Sequence, residues 1–298
     1  MSSPAVKRFR PFVDLHLLGD GGDLLPGRDD LDMLLPDRGT PHLLFGRYGA
    51  AEIAEASRRW GIAAAREAQG LTDVRINIEA SVRGRQVCRV LLRPHDLLVT
   101  EMILSEGRFR PSDAIPRRFP EDTELLVIQW ICMQNPLRAF TPDRPPLPGQ
   151  AHPGFGAGRN VMEMLLALAG RLEVDGIVNR PEFLHNALLY EPYFLFLHPE
   201  TQGRYDALVR DLGSLPLLEL AWGGHRGAIV DEAAGTDFEW VHSEQMRPAG
   251  RRLARYFGSR EYTTRRVEAA RTARFSMDRR RLTTIMDQVR RLETGVDG

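Results

Sequence analysis

The sequence predicts a mixed α/β fold, with a mainly antiparallel central sheet, flanking helices and a basic helical tail. Three observations carry this. Four short apolar runs follow one another between residues 74 and 133, with tight-turn signals between them. A glycine-rich segment, His152-Pro153-Gly154-Phe155-Gly156-Ala157-Gly158-Arg159, then opens a stretch with helical apolar spacing. Beyond it, short apolar runs alternate with helical ones.

At 298 residues, 43% hydrophobic and 27% charged, the chain can bury a full core. No run approaches the roughly 18 apolar residues of a membrane span, and the first residues, MSSPAVKRFRPF, lack a signal-peptide apolar region. No membrane partner is expected, and a cytoplasmic location is. Cys88 and Cys132 sit inside apolar runs and read as buried free thiols, which suits a reducing compartment.

Residues 1–45, rich in Gly, Pro and Asp, read as an irregular N-terminal arm with one strand candidate at Phe12–Leu18. Asp29, Asp30 and Asp32 lack the spacing of a calcium loop and read as solvated acids. Residues 46–243 form the expected α/β domain. The Ala, Glu and Arg content of residues 50–70 predicts helix, with Gly61 splitting it in two and Gly70 ending it. Strands are expected over 74–81, 86–93, 97–105 and 124–133 as an antiparallel meander, with turns at Arg83-Gly84 and Pro94-His95-Asp96. The fourth run is the most apolar and should be central. A Pro-rich loop then leads to the glycine segment.

A helix from about Arg159 to Leu172 would bury Val161, Met164, Leu165, Leu168 and Leu172. Next come a strand at Gly176-Ile177-Val178, a helix over Pro181–Tyr190, a strand over Tyr193–Leu197 and a helix over 200–212. A short strand or helix should follow within 217–232. Residues 244–298 are expected to form an Arg-rich, mostly helical tail. Ser276 would cap a final helix whose stripe is Leu282, Ile285, Met286, Val289 and Leu292.

Glycines on alternate positions let a backbone approach a ligand closely, and a helix start just beyond them aims free N–H groups the same way. That combination suits an anion such as a pyrophosphate. A Walker loop would need Gly-Lys-Ser/Thr where Arg159-Asn160 stands. A dinucleotide fingerprint would need Gly at 159, and Asp175 precedes the next strand instead of ending it. A tight, close-packed turn without a ligand is the other reading.

The order helix–helix–β–β–β–β–loop–helix–β–helix–β resembles the GNAT (GCN5-related) N-acetyltransferase family. In that family a loop of the form Arg/Gln-x-x-Gly-x-Gly/Ala holds the CoA pyrophosphate on its amides. Here Pro153-Gly154-Phe155-Gly156-Ala157-Gly158 aligns with it, with Pro153 in place of Arg or Gln and Gln150 out of register. Asn186-Ala187-Leu188-Leu189-Tyr190 followed by Phe194 resembles the family's Asn-x-x-Ala-x-x-Tyr-x-x-x-Gly-Phe region, with looser spacing and no Gly. The resemblance covers about residues 50–197. A further resemblance runs through LLVIQWICMQNP, RPPLPGQAHPGFG and LEVDGIVNRPEFLHNALLY, to bacterial proteins sometimes joined to histone-deacetylase-like amidohydrolases; it brings no function with it.

The GNAT resemblance implies acetyl-CoA or another acyl-CoA bound at Gly154, Phe155, Gly156, Ala157, Gly158, Arg159 and Asn186. It implies direct acyl transfer to an amine, with Tyr190 as general acid for the leaving thiolate. Glu101, flanked by apolar residues, is the candidate base; Glu106 and Glu124 are weaker ones, and Gln129 at the centre of the fourth run cannot accept a proton. Tyr190 also reads as a core-edge tyrosine and Glu101 as a solvent-facing strand residue, and for both the structural reading is favoured. The alternative class is a non-catalytic binding or scaffold protein on a degenerate GNAT fold.

His152, His185 and His198 fall near the proposed pocket without ligand spacing, so no metal is expected. From Met246 onward 14 arginines face six acids, a charge of +8, which leaves −8 on the preceding 245 residues. Arg265, Arg266, Arg271, Arg274, Arg279, Arg280 and Arg281 make nucleic acid a third possible partner. Docking of the tail on the acidic body, or a homodimer through its amphipathic helices, is favoured over it.

Overall fold

The computed structural model describes residues 43–80, 84–109, 119–120 and 122–293. The strand candidate at Phe12–Leu18, the acids Asp29, Asp30 and Asp32, and Arg83 of the first turn lie outside them. The described chain is a mixed α/β structure built on a mainly antiparallel sheet.

Helices α1 (Ala50–Arg59) and α2 (Ile62–Glu67) meet at Gly61, whose φ of +70° lies in the left-handed region that turns the chain between them. Strands β1 (Val74–Ala80), β2 (Gln86–Leu92), β3 (Leu97–Phe109) and β4 (Thr123–Met133) follow as an antiparallel meander. β3 runs four residues past its expected end because Thr100–Phe109 pair with β4 as far as its first residue, Thr123. Helix α3 (Gly158–Leu172) carries the chain across to β5 (Gly176–Asn179), which pairs with β4 in parallel.

Helix α4 is shorter than expected, Leu184–Tyr190, with Phe183 as its N-cap. Pro181 stays outside it, and its carbonyl accepts from the Trp240 indole N–H. The apolar run over 193–197 yields a strand of two residues, β6 (Leu195–Phe196). Then come α5 (Pro199–Leu212), α6 (Leu217–His225), β7 (Ile229–Asp231), β8 (Thr236–Asp237), β9 (Gln245–Pro248), α7 (Arg251–Phe257), α8 (Arg260–Thr272), β10 (Phe275–Met277) and α9 (Arg279–Glu293).

The main sheet has the order β1-β2-β3-β4-β5-β9-β6, which places β4 at its centre, as its apolar composition foretold. A second sheet, β10-β7-β8, lies apart from it. Side chains alternate across the main sheet. Leu126, Ile128 and Ile177 join one apolar cluster with Val161 and Leu165 of α3. Leu125, Val127 and Val178 join another with Leu253, Tyr256 and Tyr262 of the C-terminal segment. On α3 the fully buried positions are Val161, Met162, Leu165, Ala169 and Leu172, while Met164 and Leu168 are half-buried at the border of the stripe.

The C-terminal segment is integral to this core. β9 fills the sheet between β5 and β6, and the Tyr256 and Tyr262 hydroxyls donate to the carbonyls of Leu197 and Phe196. Ser276 does not cap the last helix. It lies in β10, paired with Val230, and the Asp278 carboxylate accepts from the Arg281 N–H instead. Leu282, Met286 and Val289 of α9 pack with Trp222.

Candidate functional site

The glycine segment is held from behind and open in front. Phe155 and Ala157 are buried in the cluster beneath α3. The Pro153 carbonyl accepts from the Asn135 N–H at 2.7 Å, and the Gly154 carbonyl accepts from the Arg144 guanidinium at 2.7 Å. Asn160 Nδ2 donates to the Trp60 carbonyl at 2.6 Å, tying the start of α3 to the α1–α2 corner. These contacts fix the Pro153 and Gly154 carbonyls and the start of α3.

Gly156, Gly158 and Arg159 are exposed. Gly156 has φ +84° with open space around the position a Cβ would take. A Cβ on Gly154 would come within 3.3 Å of the Met133 carbonyl, so the loop lies close against the end of β4. The N-cap of α3 is Ala157, with no side-chain hydrogen bond and no acid in the first turn. The N–H groups of residues 156–160 have no acceptor among the described residues, and neither does the Arg159 guanidinium. An uncapped 15-residue helix with a cation at its first turn favours an anion there.

Beside this terminus the sheet opens. β5 pairs with β4 only from Leu125 to Ile128, so the β5-facing edge of β4 has no strand partner from Gln129 to Met133 among the described residues. Gln129 and Trp130 are exposed, Trp130 by 40%. An unpaired strand edge presents alternating N–H and C=O groups to any ligand carrying amides.

Tyr190 ends α4, half-buried, with its ring centroid 6.0 Å from that of Phe194 and its side chain packed on the cluster that holds Phe155. Burial raises its hydroxyl pKa. Glu101 is placed differently. It lies on β3 opposite Arg89 and Cys132, and Arg89 Nε donates to its carboxylate at 2.6 Å while Nη1 reaches Glu79 at 2.7 Å. Its neighbour Met102 faces the α3 cluster, so Glu101 occupies the opposite face of the sheet from the glycine loop. Asn186 is inside α4, half-buried, its N–H donating to the Phe183 carbonyl. Thus the loop residues and Tyr190 share one apolar cluster, and Glu101 stands apart from it.

Burial pushes the Cys88 thiol up to about 12, while Cys132 is half-buried. His185 is buried and stacked on Phe183 at 5.4 Å; burial, with a smaller contribution from His225, lowers its pKa to about 4. No group of three metal-ligating side chains occurs among the described residues. No helix among them is long and apolar enough to cross a membrane.

The tail's arginines largely engage the chain itself. Arg265 pairs with Glu200, Arg266 with Asp206 at 2.6 Å, Arg279 with Glu219 at 3.4 Å and Arg281 with Asp237 at 2.7 Å. Arg271 pairs with Glu268, and Arg274 donates to backbone carbonyls. Two site features escaped the sequence. Asn179 and Gln245 are buried opposite one another on β5 and β9, with amide atoms that lack partners. Polar residues at the ends of short strands carry no sequence signal of that kind.

The chain matches no protein-family model and no curated protein. Solved structures that share some likeness include AtaTR bound with AcCoA, 13% identical with a TM-score of 0.26 over 38% of this chain and 64% of that one. Another is AtaT complexed with acetyl-methionyl-tRNAfMet, 12% identical with a TM-score of 0.26 over 53% and 83%. The chain therefore spans less than two thirds of AtaTR, and TM-scores this low decide nothing about it.

Proposed function

We propose that the chain binds an acyl-CoA at the α3 N-terminus and transfers its acyl group to an amine, as a GNAT-like acyltransferase. The observation that supports this most is the juxtaposition of an uncapped, glycine-lined helix terminus with the unpaired β4 edge at Gln129–Met133. Acyl-CoA is a pyrophosphate joined to an arm with two amides. The N–H groups of residues 156–160 and Arg159 would hold the first, and the strand edge would pair with the second. The amine nitrogen attacks the thioester carbonyl carbon, the C–S bond breaks, and Tyr190 gives the thiolate its proton. The amine's proton leaves to solvent in this reading, because Glu101 is paired with Arg89 on the face of the sheet away from the glycine loop.

That Arg89–Glu101 pair favours a second reading in which the same site binds ligand without turnover. Gly158→Glu tests the binding. A carboxylate in the first helical turn favours the helix, yet it sits where the pyrophosphate would. Calorimetry should show micromolar CoA binding by the wild type and at least hundredfold weaker binding by the folded variant. Equal affinity in the two removes the assignment. Binding without acyl transfer to any of a panel of amines selects the second reading.

A further inference from the structure

Where β4 and β5 part, one residue from each of four strands lies in a single register row: Ile128 on β4, Asn179 on β5, Gln245 on β9 and Phe196 on β6. Register partners share a face, and Ile128 with Ile177 fixes that face as the one α3 covers. All four are buried, Asn179 to 4% exposure and Gln245 to 1%. The row is apolar at both ends and carries two carboxamides in its middle.

Those carboxamides are not satisfied. Neither Asn179 Oδ1 nor Nδ2 has a hydrogen-bond partner among the described residues, and Gln245 Oε1 has none. Buried polar groups in proteins are nearly always paired, because leaving one unpaired sacrifices its hydration without return. Three orphaned atoms on two facing residues are therefore a feature to explain. Asn179 is the last residue of β5 and pairs with the last β4 residue before the open edge begins at Gln129. The orphaned atoms thus lie at the inner end of the opening in which the acyl-CoA arm is placed above.

We infer that Asn179 and Gln245 form a subsite for an uncharged amide group of a ligand that enters between β4 and β5. Asn179 Nδ2 donates to the ligand's amide carbonyl; Asn179 Oδ1 and Gln245 Oε1 accept its N–H. The set holds no charge, which disfavours a carboxylate or phosphate at this depth and leaves those to the α3 terminus. Because the atoms are enclosed, entry of the amide is coupled to a small outward turn of these side chains. The placement rests on the acyl-CoA reading, and the amide belongs either to the pantetheine arm or to the acyl acceptor.

The test uses the full chain with Asn179→Leu and Gln245→Met, which keep side-chain size and remove the carboxamide. Thermal melting without ligand comes first. Replacing an unsatisfied polar group by an apolar one of similar shape leaves the melting temperature unchanged or raises it. Calorimetry then compares CoA with adenosine 3′,5′-bisphosphate, which has no amide. An approximately tenfold loss for CoA alone, the value of one good hydrogen bond, assigns the subsite to the pantetheine arm. Unchanged CoA affinity, with loss of a wild-type preference for glycinamide over ethylamine as acetyl acceptor, assigns it to the acceptor. A clearly lowered melting temperature with both ligand readouts unchanged overturns the subsite and makes the pair structural. Unchanged affinity and acceptor preference overturn the subsite at any melting temperature; failure of the wild type to bind CoA removes the acyl-CoA reading by itself, and there a rise of the wild-type melting temperature with N-methylacetamide that Asn179→Leu abolishes upholds the subsite, while no such rise overturns it.

Discussion

Tyr190 holds its proton through neutral pH because burial disfavours the phenolate. This is the form that a general acid for a leaving thiolate requires. Tyr190→Phe keeps the ring against Phe194 and removes only the proton donor. Turnover should fall by about 10²-fold, in the range of single proton-transfer effects, while CoA affinity in calorimetry stays unchanged. Wild-type turnover in the variant would end the acid assignment. His185 offers a stability readout of its own burial. Its folded pKa is near 4 against an ordinary 6.5, so between those values the unfolded chain binds a proton that the folded chain excludes. Stability is fully present above pH 6.5 and declines as pH falls toward 4. By pH 5 the loss is about 2 kcal/mol, which urea titrations at pH 7 and 5 will show. His185→Gln should remove that difference, and an undiminished difference would place its origin elsewhere.

At the scale of elements, helices α5 and α8 approach so closely that only glycine fits at 203. A Cβ there would lie 2.2 Å from the Arg266 carbonyl oxygen and 2.7 Å from Ala269 Cβ. Gly203→Ala should push the helices apart, strain the two-bond Arg266–Asp206 pair beside the contact, and cost about 1–3 kcal/mol. Chemical denaturation measures this, and an unchanged midpoint would mean that the helices slide freely. Elements of this kind were legible where local chemistry was strong. The meander, the break at Gly61, the centrality of β4 and the glycine loop all follow from apolar periodicity and turn residues. Elements set by distant partners were not. Phe275–Met277 becomes a strand because β7 lies beside it, which takes Ser276 from its capping role. Gln245–Pro248 is only four residues long and ends in a proline, too little to read as a strand, yet it completes the main sheet because β5 and β6 each have an edge to fill. Half of the candidate site was legible for the same reason. Alternate glycines announce a loop, whereas the Asn179–Gln245 pair exists only once β5 meets β9.

For the whole molecule, the charge asymmetry of the sequence has a structural counterpart. The −8 body and +8 tail are joined by Arg265–Glu200, Arg266–Asp206, Arg279–Glu219 and Arg281–Asp237, and all of these are partly exposed, so each contributes little by itself. The burial beneath them matters more. Leu253, Tyr256, Phe257 and Tyr262 are buried in one apolar cluster with Leu125, Val127 and Val178 of the central strands, and each such side chain contributes roughly 1.5–3 kcal/mol on burial. Removal of residues 244–298 would therefore take away β9, which joins β6 to the rest of the main sheet, and four large side chains from the core, an amount comparable to the total stability of a typical domain. A chain ending at residue 243 should lack a cooperative thermal transition and bind no CoA. A variant with Arg265, Arg266, Arg279 and Arg281 all changed to Gln should still melt cooperatively, with a lower midpoint that depends less on salt below about 0.15 M. If the shortened chain melted cooperatively instead, the tail would be a separable domain and the ion pairs its principal attachment.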